Sequence, residues 1–112
     1  MSLSSTLPTV DRRDLDFQLF EVLQALDLTQ RPEHADHDAT SFAAVLDVAQ
    51  TLAADKFQTH YRESDLDEPR LENGKVRVVP QVREALRAFA EAGFMAADRP
   101  FDEGGQQLPY TL

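Results

Sequence analysis

Residues 40–57, TSFAAVLDVAQTLAADKF, decide the fold of this chain. Their apolar side chains recur every three or four residues, which is the spacing of one face of an α-helix. Thr40 is a residue type that favours the N-cap position, and the polar residues after Phe57 continue the pattern to residue 63. We therefore predict a long amphipathic helix over residues 40–63. Its apolar face comprises Phe42, Val45, Leu46, Ala49, Leu52, Ala53 and Phe57.

Two shorter amphipathic helices flank this one, and the three together supply the predicted core. The first spans residues 12–27, where Asp14 or Asp11 can cap the free amides. The last spans residues 80–92, with Pro80 at its start and Gly93 as the left-handed residue after its end. Inward-facing side chains are predicted at Leu19, Val22, Leu23, Val45, Leu46, Ala49, Leu52, Leu86 and Phe89.

The segments between the helices carry turn-forming residues. Residues 27–39 contain Arg31-Pro32 and a polar run, and Asn73-Gly74 can form a tight turn in at most a short hairpin. Residues 99–112 show no periodicity. The predicted class is all-α: a small bundle of three main helices with a long irregular connection and an irregular tail. Residues 1–10 are predicted to be a mobile leader or expression scar, and residues 11–112 the domain.

Composition limits the function classes. The chain has 112 residues, 42% of them hydrophobic and 28% charged, as expected for one globular domain. No apolar run approaches the roughly 20 residues of a membrane span. The net charge of −9 makes nucleic acid an unsuitable partner. The absence of cysteine excludes disulfides and thiolate chemistry and is compatible with the cytoplasm, which is the predicted location.

Histidines and carboxylates are the candidate chemical groups. His34, Asp36, His37 and Asp38 have the residue types of a metal site, but no predicted helix holds the two imidazoles on one face. His60 is predicted to lie on the surface of the long helix or to cap its carbonyls. A solvated loop and a surface histidine are therefore the preferred interpretations.

Carboxylate pairs and paired glycines are equally unspecific. Twenty acidic residues produce adjacent carboxylates by chance, as in residues 65–68 and 102–103. Gly104-Gly105 lacks the preceding strand and following helix of a phosphate-binding loop. From the residues alone, we predict no catalytic, cofactor-binding or metal-binding residue in this chain.

Three stretches in order resemble the N-terminal helical domain of acyl-CoA dehydrogenases of the long bacterial type, such as methylthiopropanoyl-CoA dehydrogenase-like enzymes. They are RDLDFQLFEVL (13–23), LENGKV (71–76) running into Pro80, and EAGF (91–94) followed by DEGGQQLP (102–109). Phe94 stands where the family usually has Trp. A proline common in the family near Thr59-His60 is missing here.

The resemblance implies a fragment of an FAD-dependent oxidoreductase that converts an acyl-CoA thioester to the 2,3-enoyl-CoA. In that family FAD and the catalytic glutamate belong to later domains, so no cofactor is expected on this chain, and the isolated chain is expected to be inactive. The remaining domains of the same enzyme would be its partners, and acyl-CoA the substrate of the full-length protein. The alternative is a free-standing acidic helical interaction or dimerisation module.

A fragment of this kind is expected to leave an apolar face bare. Phe17, Phe20, Phe94 and Phe101 are the predicted contributors. Such a face favours a homodimer, or an exchange of the Pro100–Leu112 tail between chains.

Overall fold

The computed structural model describes residues 10–112 and shows a mainly helical fold with one two-stranded sheet. The helices are α1 (Arg12–Asp16), α2 (Ala39–Leu52), α3 (Tyr61–Leu66) and α4 (Pro80–Glu91), and the strands are β1 (Arg70–Glu72) and β2 (Lys75–Arg77). π-Helical turns occupy Phe17–Val22 and Ala53–Phe57, and 3-10 turns occupy Ala25–Gln30, Pro32–His34, Phe94–Ala96 and Phe101–Glu103.

The predicted fold class is therefore correct for most of the chain, but the description as purely α is wrong because of the hairpin. The predicted leader lies outside the described residues except for Val10.

The first helix is shorter than predicted. Asp11 caps it by accepting from the Asp14 amide at 3.2 Å. After Asp16 the helix widens into the π-helical turn, where the Leu23 amide donates to the Gln18 carbonyl at 3.0 Å. The wider turn rotates later side chains out of the stripe, and Gln24 then adopts a left-handed backbone. Leu19 is buried as predicted, whereas the inward positions of Val22 and Leu23 are wrong because both side chains are more than half exposed.

The predicted long helix is interrupted. Its N-cap is Asp38 rather than Thr40, because Asp38 and Ser41 exchange reciprocal side-chain to backbone hydrogen bonds at 2.9 Å. α2 passes into the second π-helical turn, and His60 then takes a non-helical backbone conformation before α3 begins. The prediction of one helix over residues 40–63 is therefore wrong at both the cap and the break.

α4 and the hairpin follow the sequence pattern closely. α4 begins at Pro80 and is followed by Gly93 with φ +87°. β1 and β2 pair antiparallel around Asn73-Gly74, and both turn residues have positive φ. One prediction on α4 is wrong: Leu86 is 53% exposed, because Ala85 occupies the buried position beside it.

The core lies between the first helix and α2. Leu19, Ala25 and Leu46 form its centre, against which Leu15, Phe20 and Leu112 pack. Arg12 ties the same two elements together at the surface, since its guanidinium donates to Asp16 at 2.9 Å and to Asp47 at 2.6 Å. These hydrogen bonds raise the pKa of Arg12. Further buried apolar side chains are Phe42, Val79, Ala85 and Leu108, while Val45, Ala49, Leu52 and Phe89 are half-buried.

Candidate functional site

An apolar groove of about 530 Å³ runs between α2, α4 and the C-terminal tail. The helical repeat of α2 places Val45, Ala49 and Leu52 on one face, and this face forms the floor. α4 and the segment after it contribute an aromatic wall, because the Phe89 and Phe94 rings lie 5.3 Å apart. The opposite wall is formed by Leu108, Pro109, Tyr110 and Leu112.

The chemistry of this groove is that of a contact surface. Among the described residues that line it, Asp98 has the only charged side chain. The other side chains that line the groove are aliphatic or aromatic, apart from the Tyr110 hydroxyl. The volume falls within the range of about 300–1,000 Å³ typical of small-molecule pockets. The groove is therefore suited to holding a hydrocarbon group or apolar side chains.

Two histidines fix the tail that closes the groove. The His34 Nδ1 atom donates to the Gln107 carbonyl at 2.9 Å, and the His37 Nε2 atom donates to the Gln106 carbonyl at 2.8 Å. His37 also bonds the Ser41 hydroxyl at 3.1 Å through Nδ1, which links the tail to the cap of α2. These hydrogen bonds span about seventy residues of sequence. The polar 31–38 loop therefore positions the tail rather than remaining solvated.

The same hydrogen bonds occupy ring nitrogens that a metal site at His34 and His37 would need. A ring nitrogen that donates to a carbonyl carries a proton and cannot bind a metal at the same time. Within the described residues, no group of three or more His, Cys, Asp or Glu side chains is arranged to hold a metal ion. The structure brings His34 and His37 together with the tail and assigns them a structural role.

Gly104-Gly105 also belong to this folded tail. Gly104 has φ +84°, and a β-carbon on Gly105 would collide with the Arg99 carbonyl. Gln106 extends its side-chain amide to the Ala92 carbonyl at 3.3 Å, beside Gly93. Gly105 allows two backbone segments to approach closely, whereas the space beside Gly104 is open. Within the described residues a 3-10 turn precedes the two glycines and no helix follows them, so they do not form a phosphate-binding loop of the strand–loop–helix kind.

The position of His60 in the structure differs from the predicted one. The prediction of a surface or capping position is wrong, because the side chain is only 6% exposed and its ring lies 6.3 Å from that of Phe57. The non-helical backbone at His60 redirects the ring into the protein. Within the described residues its Nδ1 atom has no hydrogen-bond partner.

The adjacent carboxylates are used in surface ion pairs. Asp67 bonds Arg70 at 2.6 Å and Arg77 at 3.2 Å, and Glu103 bonds Arg99. The hydrogen bond from Arg70, together with the charge of Arg77, lowers the pKa of Asp67. Paired in this way, Asp67 and Glu103 stabilise local turns.

The four phenylalanines predicted to form one bare face have different surroundings. Phe17 and Phe20 line a depression beside α1, and Phe94 lines the apolar groove. Phe101 stacks on His37 with ring centres 6.3 Å apart. Phe17 and Phe101 are each 48% exposed, whereas Phe20 and Phe94 are partly buried.

Comparison with family models, curated proteins and solved structures found no match to this chain. Within residues 10–112, none of the helices is both long enough and apolar enough to cross a membrane.

Proposed function

We propose that this chain is the N-terminal helical domain of an FAD-dependent acyl-CoA dehydrogenase that oxidises an acyl-CoA thioester to the 2,3-enoyl-CoA. The observation that carries the proposal is the ordered resemblance of residues 13–23, 71–76, 91–94 and 102–109 to that domain. The two parts of the third stretch contact each other, since the Gln106 side-chain amide donates to the Ala92 carbonyl. A cytoplasmic location is part of the proposal.

The apolar groove supports a scaffolding role in such an enzyme. Its hydrocarbon lining fits the packing of apolar side chains from later domains, and it can contribute a wall to an acyl-binding pocket. The domain would therefore act through packing and shape. Its partners are the remaining domains of the same polypeptide and, in the full-length protein, the acyl-CoA substrate.

The reaction itself needs groups beyond those that the described residues bring together in the groove. α-Proton abstraction with β-hydride transfer to FAD requires a base on one side of the acyl chain and the flavin on the other. Asp98 is the one charged side chain among the described residues that line the groove, and Gly105 is packed against the Arg99 carbonyl. FAD and the catalytic base are therefore assigned to the rest of the enzyme.

Flavin titration of two proteins tests this assignment. The 112-residue chain should leave FAD absorption and fluorescence unchanged. The protein expressed from the complete native reading frame should copurify with FAD and reduce it when an acyl-CoA is added. FAD binding by the full-length protein alone would indicate a flavoprotein whose flavin site lies outside this domain. No FAD binding by either protein would indicate that the protein is not a flavoprotein.

Two results would contradict the proposal. Micromolar FAD binding by the 112-residue chain at high salt would mean that a flavin site lies within these residues. A native reading frame that ends at residue 112 would instead support the alternative, a free-standing acidic helical interaction module.

We also propose that the isolated chain forms a homodimer through its exposed apolar side chains. Phe17, Val22 and Leu23 lie in or beside one π-helical turn and are each about half exposed or more, and exposed apolar side chains favour association with a second copy of the chain. Sedimentation velocity at two concentrations should show a shift toward the dimer. A strictly monomeric species up to hundreds of micromolar would contradict it, and F17S/L23S is the variant expected to remain monomeric.

A further inference from the structure

Residues 70–87 form a basic segment in an acidic protein. Five of the eleven Lys and Arg residues lie in this stretch, against two of the twenty Asp and Glu residues. The segment consists of the hairpin and the first two turns of α4. A groove of about 700 Å³ lies between β2 and the start of α4 and is lined by Lys75, Arg77 and Arg83.

The carboxylates near this groove are already engaged. Glu72 bonds Arg77 at 3.2 Å, Asp67 bonds both Arg70 and Arg77, and Glu84 pairs with Lys56 at 3.4 Å. In the part of the chain that the structure describes, Lys75 and Arg83 form no ion pair, and both are exposed. Two free cations therefore border one groove.

The outer edge of β2 adds backbone and apolar groups to the same place. Glu72 and Lys75 flank the two-residue turn and form a hydrogen-bonded pair of the hairpin. Hydrogen-bonded and non-hydrogen-bonded pairs alternate along the two strands, so the next pair, Leu71 and Val76, is not hydrogen-bonded. The Val76 amide and carbonyl consequently point away from β1, and no third strand pairs with β2 within residues 10–112. The Val76 side chain is 69% exposed and that of Val78 is 38% exposed.

We propose that the β2 groove binds an extended acidic segment of a partner polypeptide as a third strand. The segment's backbone would pair with Val76, its carboxylates would meet Lys75 and Arg83, and an alternating apolar residue would contact Val76 or Val78. Added strands obtain affinity from backbone hydrogen bonds and specificity from side chains. Opposite charge steers the approach and fixes the register. This surface shares no lining residue with the apolar groove, so the proposal is independent of the dehydrogenase assignment.

Fluorescence anisotropy with a short fluorescein-labelled peptide of alternating Asp and Val tests the proposal on the 112-residue chain. The wild-type chain should bind it, and the K75E/R83E variant should bind about tenfold more weakly or worse. The matched control is R13E/R62E, which changes the net charge equally at exposed arginines outside the groove and should change the affinity less than about twofold. Circular dichroism verifies that both variants remain folded.

Two further peptides test the binding mode. A peptide of alternating Lys and Val should bind at least about tenfold more weakly, because it places like charges opposite Lys75 and Arg83. A peptide of alternating Asp and Pro should also lose binding, because proline cannot donate to the β2 edge. No binding of the Asp-Val peptide up to about 1 mM, or equal losses in the two variants, would overturn the proposal. Dimerisation of the wild-type chain that K75E/R83E abolishes would overturn it as well, because a second copy would then occupy the groove.

Discussion

Replacing Phe42 by alanine should lower the free energy of unfolding by about 3–5 kcal/mol. Phe42 has no exposed surface, and its ring lies 5.8 Å from that of His37. The substitution removes a whole aromatic ring and leaves a cavity that the surrounding backbone fills only in part. A loss of this size is a large fraction of the roughly 5–15 kcal/mol that stabilises a typical domain.

Urea unfolding followed by circular dichroism measures the effect, and Phe17→Ala is the matched control. Phe17 loses the same atoms from a side chain that is 48% exposed, so its cost should be less than half as large. Equal costs for the two variants would contradict the burial of Phe42. A changed denaturant slope in the Phe42 variant would indicate an altered compactness of the native or unfolded state.

The fold was predictable where local chemistry dictates the backbone. α4 begins at Pro80 and ends before Gly93, as predicted, and Asn73-Gly74 form the turn of the hairpin. These residues have backbone preferences that do not depend on tertiary contacts. The π-helical turns were not predictable in this way. They insert one extra residue into a turn, which no single residue type specifies, and they moved Val22 and Leu23 from the predicted core to the surface.

The candidate site was predictable only in part. Spacing placed Val45, Ala49 and Leu52 on one apolar face of the long helix and Phe89 on that of the last helix, and these four inward-facing side chains line the groove. The histidine contacts to Gln106 and Gln107 join residues about seventy positions apart. Nothing in either local sequence signals the other, so periodicity analysis assigned the 31–38 loop to solvent. The contacts of Gln106 and Gln107 were not predicted because a glutamine beside paired glycines has no periodic pattern of its own.

The groove and the β2 edge illustrate two different uses of exposed surface. The groove is almost uncharged, so burial there gains hydrophobic free energy without desolvating ions. At the β2 edge, cations stand beside unpaired backbone groups, and binding there would depend on salt. Ionic strength therefore distinguishes the two surfaces experimentally, since high salt should weaken peptide binding and leave apolar association intact or stronger.

Replacing Leu46 by alanine should cost about 2–5 kcal/mol of unfolding free energy. Leu46 is 4% exposed, belongs to the core centre with Leu19 and Ala25, and also borders the apolar groove. Truncation therefore removes core packing and enlarges the groove in the same step. Leu71→Ala is the matched control, because Leu71 is 76% exposed on the hairpin and should change stability by less than about 0.5 kcal/mol. A cost below about 0.5 kcal/mol for Leu46→Ala would place this face of α2 at the surface, and the groove would then lose its floor.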